Sequence, residues 1–307
     1  MSLRFSKDPV TLVPLPWKED NTLDKDMFAR TVHIYTDLDQ YALYFGCTAS
    51  EGHTLSREQL LEAADIFVHE TSSYAHPIFV GLAGFPMAEI SERIELLKPL
   101  GLRTFLFAKP GWGTLSTEEE VDSYFNTLLQ SHKDCQFILY NNLRSGERLY
   151  APELQRIAKA NPNFVAVKQG GHAYVDARYS AALEEPLPLV EYYLDYAWTY
   201  ANLYFTPSFM PSTISCSFKM SKEFYEAGLR KDFVRLAEID REIQKADQLL
   251  FSLFPGDRID GAYDKMWVKM NIPEFPLRLA APYQCFSDEK FDEYRSRMKE
   301  LLPHWFS

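Results

Sequence analysis

This 307-residue sequence lacks the features that mark several broad classes of protein. It has no apolar run near the ~20 residues that cross a bilayer. With a net charge of −11 and no basic stripe, it has no surface suited to a phosphate backbone. Its first residues show no apolar signal segment. We therefore expect a cytoplasmic protein that binds neither a membrane nor nucleic acid, and its 46% hydrophobic residues indicate a globular chain.

Cysteine and histidine patterns are also sparse. The four cysteines are widely spaced and form no C-x-x-C pair, which indicates reduced thiols or small buried residues: Cys47, Cys135, Cys216 and Cys285. The seven histidines show no spacing typical of a zinc helix. We predict no metal and no cofactor.

What the sequence does contain is a regular alternation of short apolar strands with helical patterns. The unit recurs at roughly thirty residues, the size of a βαβ repeat. Strands are predicted at 11–15, 41–46, 77–83, 103–108, 136–140, 163–168, 189–194 and 202–206.

Eight such units predict an α/β fold, a TIM (β/α)8 barrel with an appended C-terminal helical region. The alternative, a doubly wound open sheet, usually carries a glycine-rich phosphate loop after its first strand. No G-x-G-x-x-G or Walker-type loop occurs here, which favours the barrel. We assign the barrel to residues 1–220 and the helices packed on it to residues 221–307.

One lysine stands out at the end of the strand 163–168. Alternation along a strand predicts that Phe164, Ala166 and Lys168 share one face. Partial burial of an ammonium group lowers its pKa, and a neutral amine in an apolar pocket can form a Schiff base with a carbonyl compound. The alternative is a lysine whose amine extends from the strand end into solvent.

Two other strand ends carry polar groups that could act with this lysine. Tyr140 ends the strand 136–140 and is predicted to point inward beside Lys168, where a phenol can transfer protons. The alternative is a buried tyrosine whose hydroxyl bonds to backbone. The loop 46–52 offers hydroxyl and N–H groups that can hold a carboxylate, or it is a simple turn.

These motifs together resemble the dihydrodipicolinate synthase / N-acetylneuraminate lyase family. The resemblance rests on the segments 46–56, 140–142 and 165–168, in the same order and spacing. It implies that Lys168 forms the imine with a 2-oxo acid and that Tyr140 moves protons. It also implies that the loop binds the carboxylate of the 2-oxo acid, through Cys47, Thr48, Ala49 and Ser50.

Several positions depart from the family pattern. The family's synthases have two tyrosines where this chain has the stretch 109–113, in which Trp112 cannot accept a proton. The loop around Arg144 is shortened. True dihydrodipicolinate synthesis is therefore a poor fit. The candidate pocket residues for the second substrate are His53, Trp112, Arg144, Gln169, Gly170 and Tyr196.

The resemblance implies a Schiff-base lyase that cleaves or condenses a pyruvate-type 2-oxo acid with an aldehyde. A 2-oxo-3-deoxy sugar acid dehydratase would use the same imine and is the alternative. A non-catalytic binding protein is a third reading, since a fold alone does not define a function. By the same resemblance we expect a homotetramer built as a dimer of dimers.

Overall fold

The computed structural model describes residues 3–256 and 258–307, and in these residues eight parallel strands lie side by side in chain order. Near Ser208 the last strand reaches the segment before the first, because the Ser208 hydroxyl bonds to the carbonyls of Lys7 and Asp8. The sheet therefore nearly closes into the predicted (β/α)8 barrel. The strands are β1 Val10–Leu12, β2 Ala42–Gly46, β3 Ile78–Gly81, β4 Thr104–Phe107, β5 Gln136–Asn141, β6 Phe164–Gln169, β7 Val190–Leu194 and β8 Ser208–Met210.

A helix follows each strand, and further helices follow the barrel. Those of the eight units are α1 Lys25–Asp37, α2 Arg57–Glu70, α3 Met87–Leu97, α4 Glu118–Ser131, α5 Ala151–Ala160, α6 Ala173–Ala181, α7 Asp195–Asn202 and α8 Phe218–Leu229. The appended helices are α9 Phe233–Leu253, α10 Asp260–Asn271 and α11 Asp288–Leu301. Local sequence defines some helix starts: Ser56 and Gln59 form a reciprocal capping box at α2.

Strand residues alternate between two hydrophobic cores. Inward residues such as Tyr44, Leu106 and Ile138 fill the barrel. Outward residues such as Phe105 and Phe137 pack against the surrounding helices. This alternation places the last inward residue of several strands at one end of the barrel, where their side chains meet.

The alternation is interrupted once, in β6. Phe137 pairs with Phe164, but the next residue, Ile138, pairs with Ala166, so Val165 is an extra residue in β6. Strict alternation predicted that Phe164 shares a face with Ala166 and Lys168. Because of the extra residue, Phe164 instead packs in the outer core, while Ala166 lies in the core inside the barrel. The bulge turns the end of the strand so that Lys168 still faces inward.

The eighth strand lies later than predicted. Residues 202–206 end α7 and form the turn after it, and the strand is Ser208–Met210. The hydroxyls of Tyr200 and Tyr204, four positions apart at the end of α7, lie 3.1 Å from each other. The residues predicted as the eighth strand therefore belong to a helix end and its turn.

The helices after β8 surround a second core that includes Phe224, Ile239 and Trp305. Helix α8 runs across residue 220, so the division of the chain at that point stays a prediction. None of the helices that the structure describes is long and apolar enough to cross a membrane.

A buried ion pair joins the barrel to the appended helices. The carboxylate of Glu51, in the loop after β2, accepts from the amine of Lys265 on α10 at 2.9 Å. The same oxygen also accepts from the indole N–H of Trp17 at 2.6 Å and from the backbone N–H of Ala280 at 3.0 Å. Both charged side chains are fully buried.

Replacing Lys265 with methionine should destabilise the protein strongly, because it leaves the Glu51 carboxylate buried without a counter-charge. Removing one partner of a buried pair costs about 3–5 kcal/mol, and we expect a loss of that size in the free energy of unfolding, measured by urea titration. Lys25→Met, which breaks an exposed pair with Glu62, is the control and should change stability by at most about 1 kcal/mol. Equal losses in the two variants would contradict the prediction.

Candidate active site

The C-terminal ends of the strands surround a cavity of about 310 Å³. Helix α10 covers part of it. The lining residues come from several strand ends and from the appended helices, and include Tyr44, Ala49, Tyr140, Arg144, Lys168, Gly170, Tyr196, Asp260, Tyr263, Asp264 and Trp267. Active sites of (β/α)8 barrels lie at this face, which makes the cavity the candidate active site.

Lys168 and Tyr140 lie next to each other in this cavity, as the sequence predicts. They are direct partners across β5 and β6, and the Nζ atom of Lys168 lies 4.2 Å from the centre of the Tyr140 ring. Lys168 is only 8% exposed. The amine therefore does not extend into solvent, and it contacts the face of a phenol that can take part in proton transfer.

The pKa of Lys168 is raised above its ordinary value, and the prediction of a lowered pKa is wrong. Burial lowers the pKa, but the Coulombic effect of Tyr140, Tyr44 and Cys47 raises it by more. The ring of Tyr140 also favours the ammonium form by a cation–π contact. The sequence predicted the desolvation of Lys168 and the nearness of Tyr140, but not the contribution of Tyr44 from β2. The amine of Lys168 is thus held in its ammonium form.

Only two of the four residues predicted to bind a carboxylate line the cavities at this end of the barrel. Ala49 lines the cavity that holds Lys168. Thr48 lines an adjacent cavity of about 470 Å³, which shares Tyr140 and Arg144 with the first. Both residues lie at the edge of the site, where backbone N–H and hydroxyl groups can meet a carboxylate.

Ser50 and Cys47 have structural contacts instead. The hydroxyl of Ser50 donates to the carbonyl of Gly46 at 2.5 Å and accepts from its N–H at 2.6 Å, so it closes the loop and is not directed at a substrate. Cys47 has a φ of 61° and a buried side chain. Burial raises the pKa of its thiol to about 11, which keeps the thiol neutral. Gly81 packs directly against this thiol. A Cβ atom at position 81 would lie 2.3 Å from the sulfur, which explains why the residue is glycine.

Four of the predicted pocket residues line one or both cavities. Gly170 and Tyr196 line the first, and the Tyr196 hydroxyl donates to the carbonyl of Gly171 at 3.4 Å. His53 lines the second, where its Nε2 atom lies 2.8 Å from the Tyr283 hydroxyl. Burial and, to a smaller extent, Arg144 lower the pKa of His53. Arg144 lies between the two cavities.

Trp112 and Gln169 are not in the site. Trp112 is 99% exposed at the tip of the loop between β4 and α4. Gln169 is buried on the outer side of the barrel, where its amide bonds to Asn141 at 3.0 Å and to Glu191 at 3.2 Å. Because it directly follows the inward Lys168, alternation turns its side chain to the opposite face.

Acidic residues of α10 were missed by the sequence analysis. Asp260 forms a two-point ion pair with Arg144, with distances of 3.0 and 2.7 Å. Asp264 lies one turn further along the helix and lines the cavity with Lys168. Burial, with Asp260 as a second cause, raises the pKa of Asp264 well above its ordinary value. The i, i+4 spacing of the two aspartates was the only sequence signal, and it is common on exposed helices.

The described residues contain no group of three or more His, Cys, Asp or Glu side chains able to hold a metal ion. The site consists of a buried amine, phenols, a paired arginine and a carboxyl group. Such groups can form a covalent imine and move protons around it.

A buried lysine in a cavity at the C-terminal face of a (β/α)8 barrel is placed where such enzymes react with their substrates, and its amine can form a Schiff base with a carbonyl compound. The chain belongs to the Dihydrodipicolinate synthetase family, whose model matches residues 6–182. Membership in this family supports a lyase of the class I aldolase type. No curated protein sequence gives a significant match to the chain.

Solved structures share the fold over nearly the whole chain at low sequence identity. A catalytic lysine mutant of the sialic acid aldolase from Ruminococcus gnavus is 13% identical, with a TM-score of 0.82, and the match covers 99% of this chain and 100% of that one. A dihydrodipicolinate synthase family protein from Coccidioides immitis is 19% identical, with a TM-score of 0.79 and 99% of each chain covered. YagE from E. coli K12, of the dihydrodipicolinic acid synthase family and in complex with pyruvate, is 15% identical, with a TM-score of 0.79 and 95% and 98% covered.

We predict that replacing Tyr140 with phenylalanine lowers turnover by about 10²–10⁴-fold, the loss expected when a hydroxyl group suited to proton transfer is removed. Steady-state kinetics of an aldolase-type reaction measures this.

Tyr192→Phe is the matched control for this variant. Tyr192 is the partner of Lys168 on the other neighbouring strand, but its hydroxyl bonds to the carbonyl of Ser6 and not to the cavity. The turnover of the Tyr192→Phe variant should stay within a few-fold of that of the unmodified protein. Unchanged turnover in Tyr140→Phe would reduce Tyr140 to a packing residue.

Proposed function

We propose that the protein is a Schiff-base-forming lyase that cleaves or forms a carbon–carbon bond of a pyruvate-type 2-oxo acid through Lys168. The observation that carries the proposal is the amine of Lys168, which is buried in a cavity and rests on the ring of Tyr140. An amine excluded from water in contact with a proton-transferring phenol suits imine formation better than a structural role.

The reaction starts when the 2-oxo acid enters the cavity with its carboxylate at the loop that carries Thr48 and Ala49. Lys168 loses a proton to water, and its neutral Nζ attacks the C2 carbonyl carbon, whose oxygen takes up a proton from the attacking nitrogen to give a carbinolamine. The O–H of Tyr140, which is in contact with the amine, protonates the hydroxyl of this intermediate as it leaves as water. A protonated imine and the Tyr140 phenolate remain, and the phenolate takes the proton that the C4 hydroxyl loses in the next step.

Carbon–carbon cleavage follows when the imine is protonated. The electron pair of the bond between C3 and C4 moves into the imine and forms an enamine, while the hydroxyl on C4 loses its proton and becomes an aldehyde. Protonation of the enamine at C3 and hydrolysis release the shorter 2-oxo acid and restore the Lys168 amine. Condensation is the same sequence in reverse.

A dehydratase using the same imine is the second candidate, and Asp264 is the observation that favours it. Burial raises the pKa of Asp264 and so favours the protonated carboxyl, and a protonated carboxyl can assist the departure of a hydroxyl group as water. Product analysis separates the two reactions, since a dehydratase retains all the carbon atoms of its substrate in one product. Dihydrodipicolinate synthesis stays disfavoured. The family's synthases have two tyrosines in the stretch where this chain has Trp112, and the exposed indole of Trp112 cannot accept and pass on a proton as a tyrosine does.

Treatment with pyruvate and borohydride should attach pyruvate to Lys168 and to no other lysine. Reduction of the imine makes the adduct permanent, and mass spectrometry of peptides locates it. Lys168→Arg should form no adduct and have no activity, because a guanidinium stays charged and does not attack carbonyls.

The other buried lysines, Lys109 and Lys265, remain in that variant and act as internal controls. An adduct on either of them, or none with any 2-oxo acid tested, would exclude the proposed role of Lys168.

We also propose that the chain assembles as a homotetramer of two dimers. The fully exposed indole of Trp112 supplies apolar area that assembly would bury, and so do the exposed Tyr174 and Tyr196, whose rings pack against each other. Sedimentation at micromolar concentration should give about four times the 35.6 kDa chain mass. A monomer under these conditions would refute the proposal, and Trp112→Ser should shift the equilibrium toward smaller species.

A further inference from the structure

The cavity of about 470 Å³ next to the candidate active site differs from it in charge. Tyr140 and Arg144 line both cavities, which therefore adjoin each other. The second cavity lies within the range of about 300–1,000 Å³ that is common for small-molecule sites. It therefore has room for the distant end of a substrate whose reacting end lies at Lys168.

Lys109 contributes a buried cation to this second cavity. It follows β4 and is 6% exposed. Its ammonium group donates to the backbone carbonyl of Glu147. An ammonium has three donors, so this bond leaves others to meet a ligand. Burial lowers the pKa of Lys109, because the ammonium form loses its contact with water. A bound anion close to this ammonium group would stabilise the charged form.

Arg258 contributes a second cation from the opposite side, just before α10. Its guanidinium lies over the ring of Phe286, with 5.0 Å between Cζ and the ring centre, and one N–H bonds to the carbonyl of Gln284 at 3.2 Å. Stacking on a ring limits the motion of the guanidinium, whose planar donors suit carboxylate and phosphate groups.

The carboxylates near the two cavities lie outside the lining of the second. Glu153 and Glu147 act on Lys109 and raise its pKa, but neither lines this cavity. Asp260 and Asp264 line the first cavity, and Asp260 neutralises the shared Arg144. No aspartate or glutamate is among the described residues that line the second cavity. Lys109 and Arg258 therefore make its field positive, and the hydroxyls of Thr48 and Ser145 add uncharged donors.

We propose that the second cavity is an anion-binding subsite, which holds a carboxylate or phosphate at the far end of the aldehyde that reacts with the 2-oxo acid. The catalytic part of this statement rests on the proposed function, whereas the binding of an anion does not. The partner is then an aldehyde with an anionic end at least a few carbon atoms from its carbonyl. Lys109 and Arg258 determine specificity, and neither contacts the reacting carbon.

Matched pairs of aldehydes test the specificity with pyruvate as the second substrate. Succinic semialdehyde against butanal tests a carboxylate, and glyceraldehyde 3-phosphate against glyceraldehyde tests a phosphate. We expect kcat/KM to favour the anionic member of at least one pair by tenfold or more. The pair with the larger ratio identifies which anion the subsite accepts.

Arg258→Gln should reduce this preference about 10- to 100-fold, the effect of losing a hydrogen bond to a charged group. Arg295→Gln is the matched control, because Arg295 also lies over a ring, that of Phe291 at 5.6 Å, but away from both cavities. Lys109→Met is the second test variant. If its loss of the Glu147 contact prevents folding, the more exposed Arg258 decides the outcome.

Calorimetry with succinate and with inorganic phosphate measures the subsite without catalysis. Binding of one anion that weakens at least tenfold in Arg258→Gln, and not in Arg295→Gln, supports the subsite even if no aldehyde reacts. Failure of borohydride trapping would then refute the proposed function alone. If neither anion binds, or if the two arginine variants behave alike in both measurements, the subsite is refuted, and Lys109 and Arg258 have structural roles.

Discussion

The arrangement of this site depends on the hydrogen bonds of one buried carboxylate, that of Glu51 in the loop after β2. It accepts hydrogen bonds from Trp17, Lys265 and Ala280, which are far apart in the chain. A charge without water around it requires such partners. Because this one carboxylate must keep its hydrogen bonds, the N-terminal segment, the loop after β2 and the appended helices are fixed in position relative to one another.

The approach of α10 to that loop also depends on the absence of a side chain. A Cβ on Gly261 would lie 2.4 Å from the Glu51 carboxylate and 2.9 Å from the carbonyl of Ala49. The close contact brings the first turns of α10 over the open end of the barrel. Asp260 and Asp264, which flank this glycine, thereby reach a cavity formed by the strand ends. The appended helices are part of the candidate site and do not merely cover it.

The position of α10 also determines the electrostatics around Lys168. Asp260 engages Arg144 at the wall between the two cavities, and the first cavity contains charges of both signs. The second contains cations that have no facing carboxylate among its described lining residues. At the centre, the ring of Tyr140 and the surrounding acidic groups favour the ammonium form of Lys168. In the proposed mechanism this amine must therefore lose a proton before it attacks the carbonyl carbon.

The β/α alternation, the (β/α)8 barrel and the pairing of Lys168 with Tyr140 could be predicted from the sequence, because they depend on periodicity and on short spacings along the chain. Strict alternation failed where a bulge added Val165, and the eighth strand was predicted too early in the chain. Both errors are local, since a strand pattern does not show which residue is left unpaired.

Other features were decided by tertiary structure alone. The raised pKa of Lys168 depends on groups contributed by different strands. The exposure of Trp112 depends on the path of the loop between β4 and α4. The roles of Lys109, Arg258 and the aspartates of α10 depend on how the appended helices meet the barrel. The sequence by itself determined which residues can carry this chemistry. Only the packed chain decided which of them share a cavity, because charge, burial and hydrogen bonding act between atoms that are close in space and not along the chain.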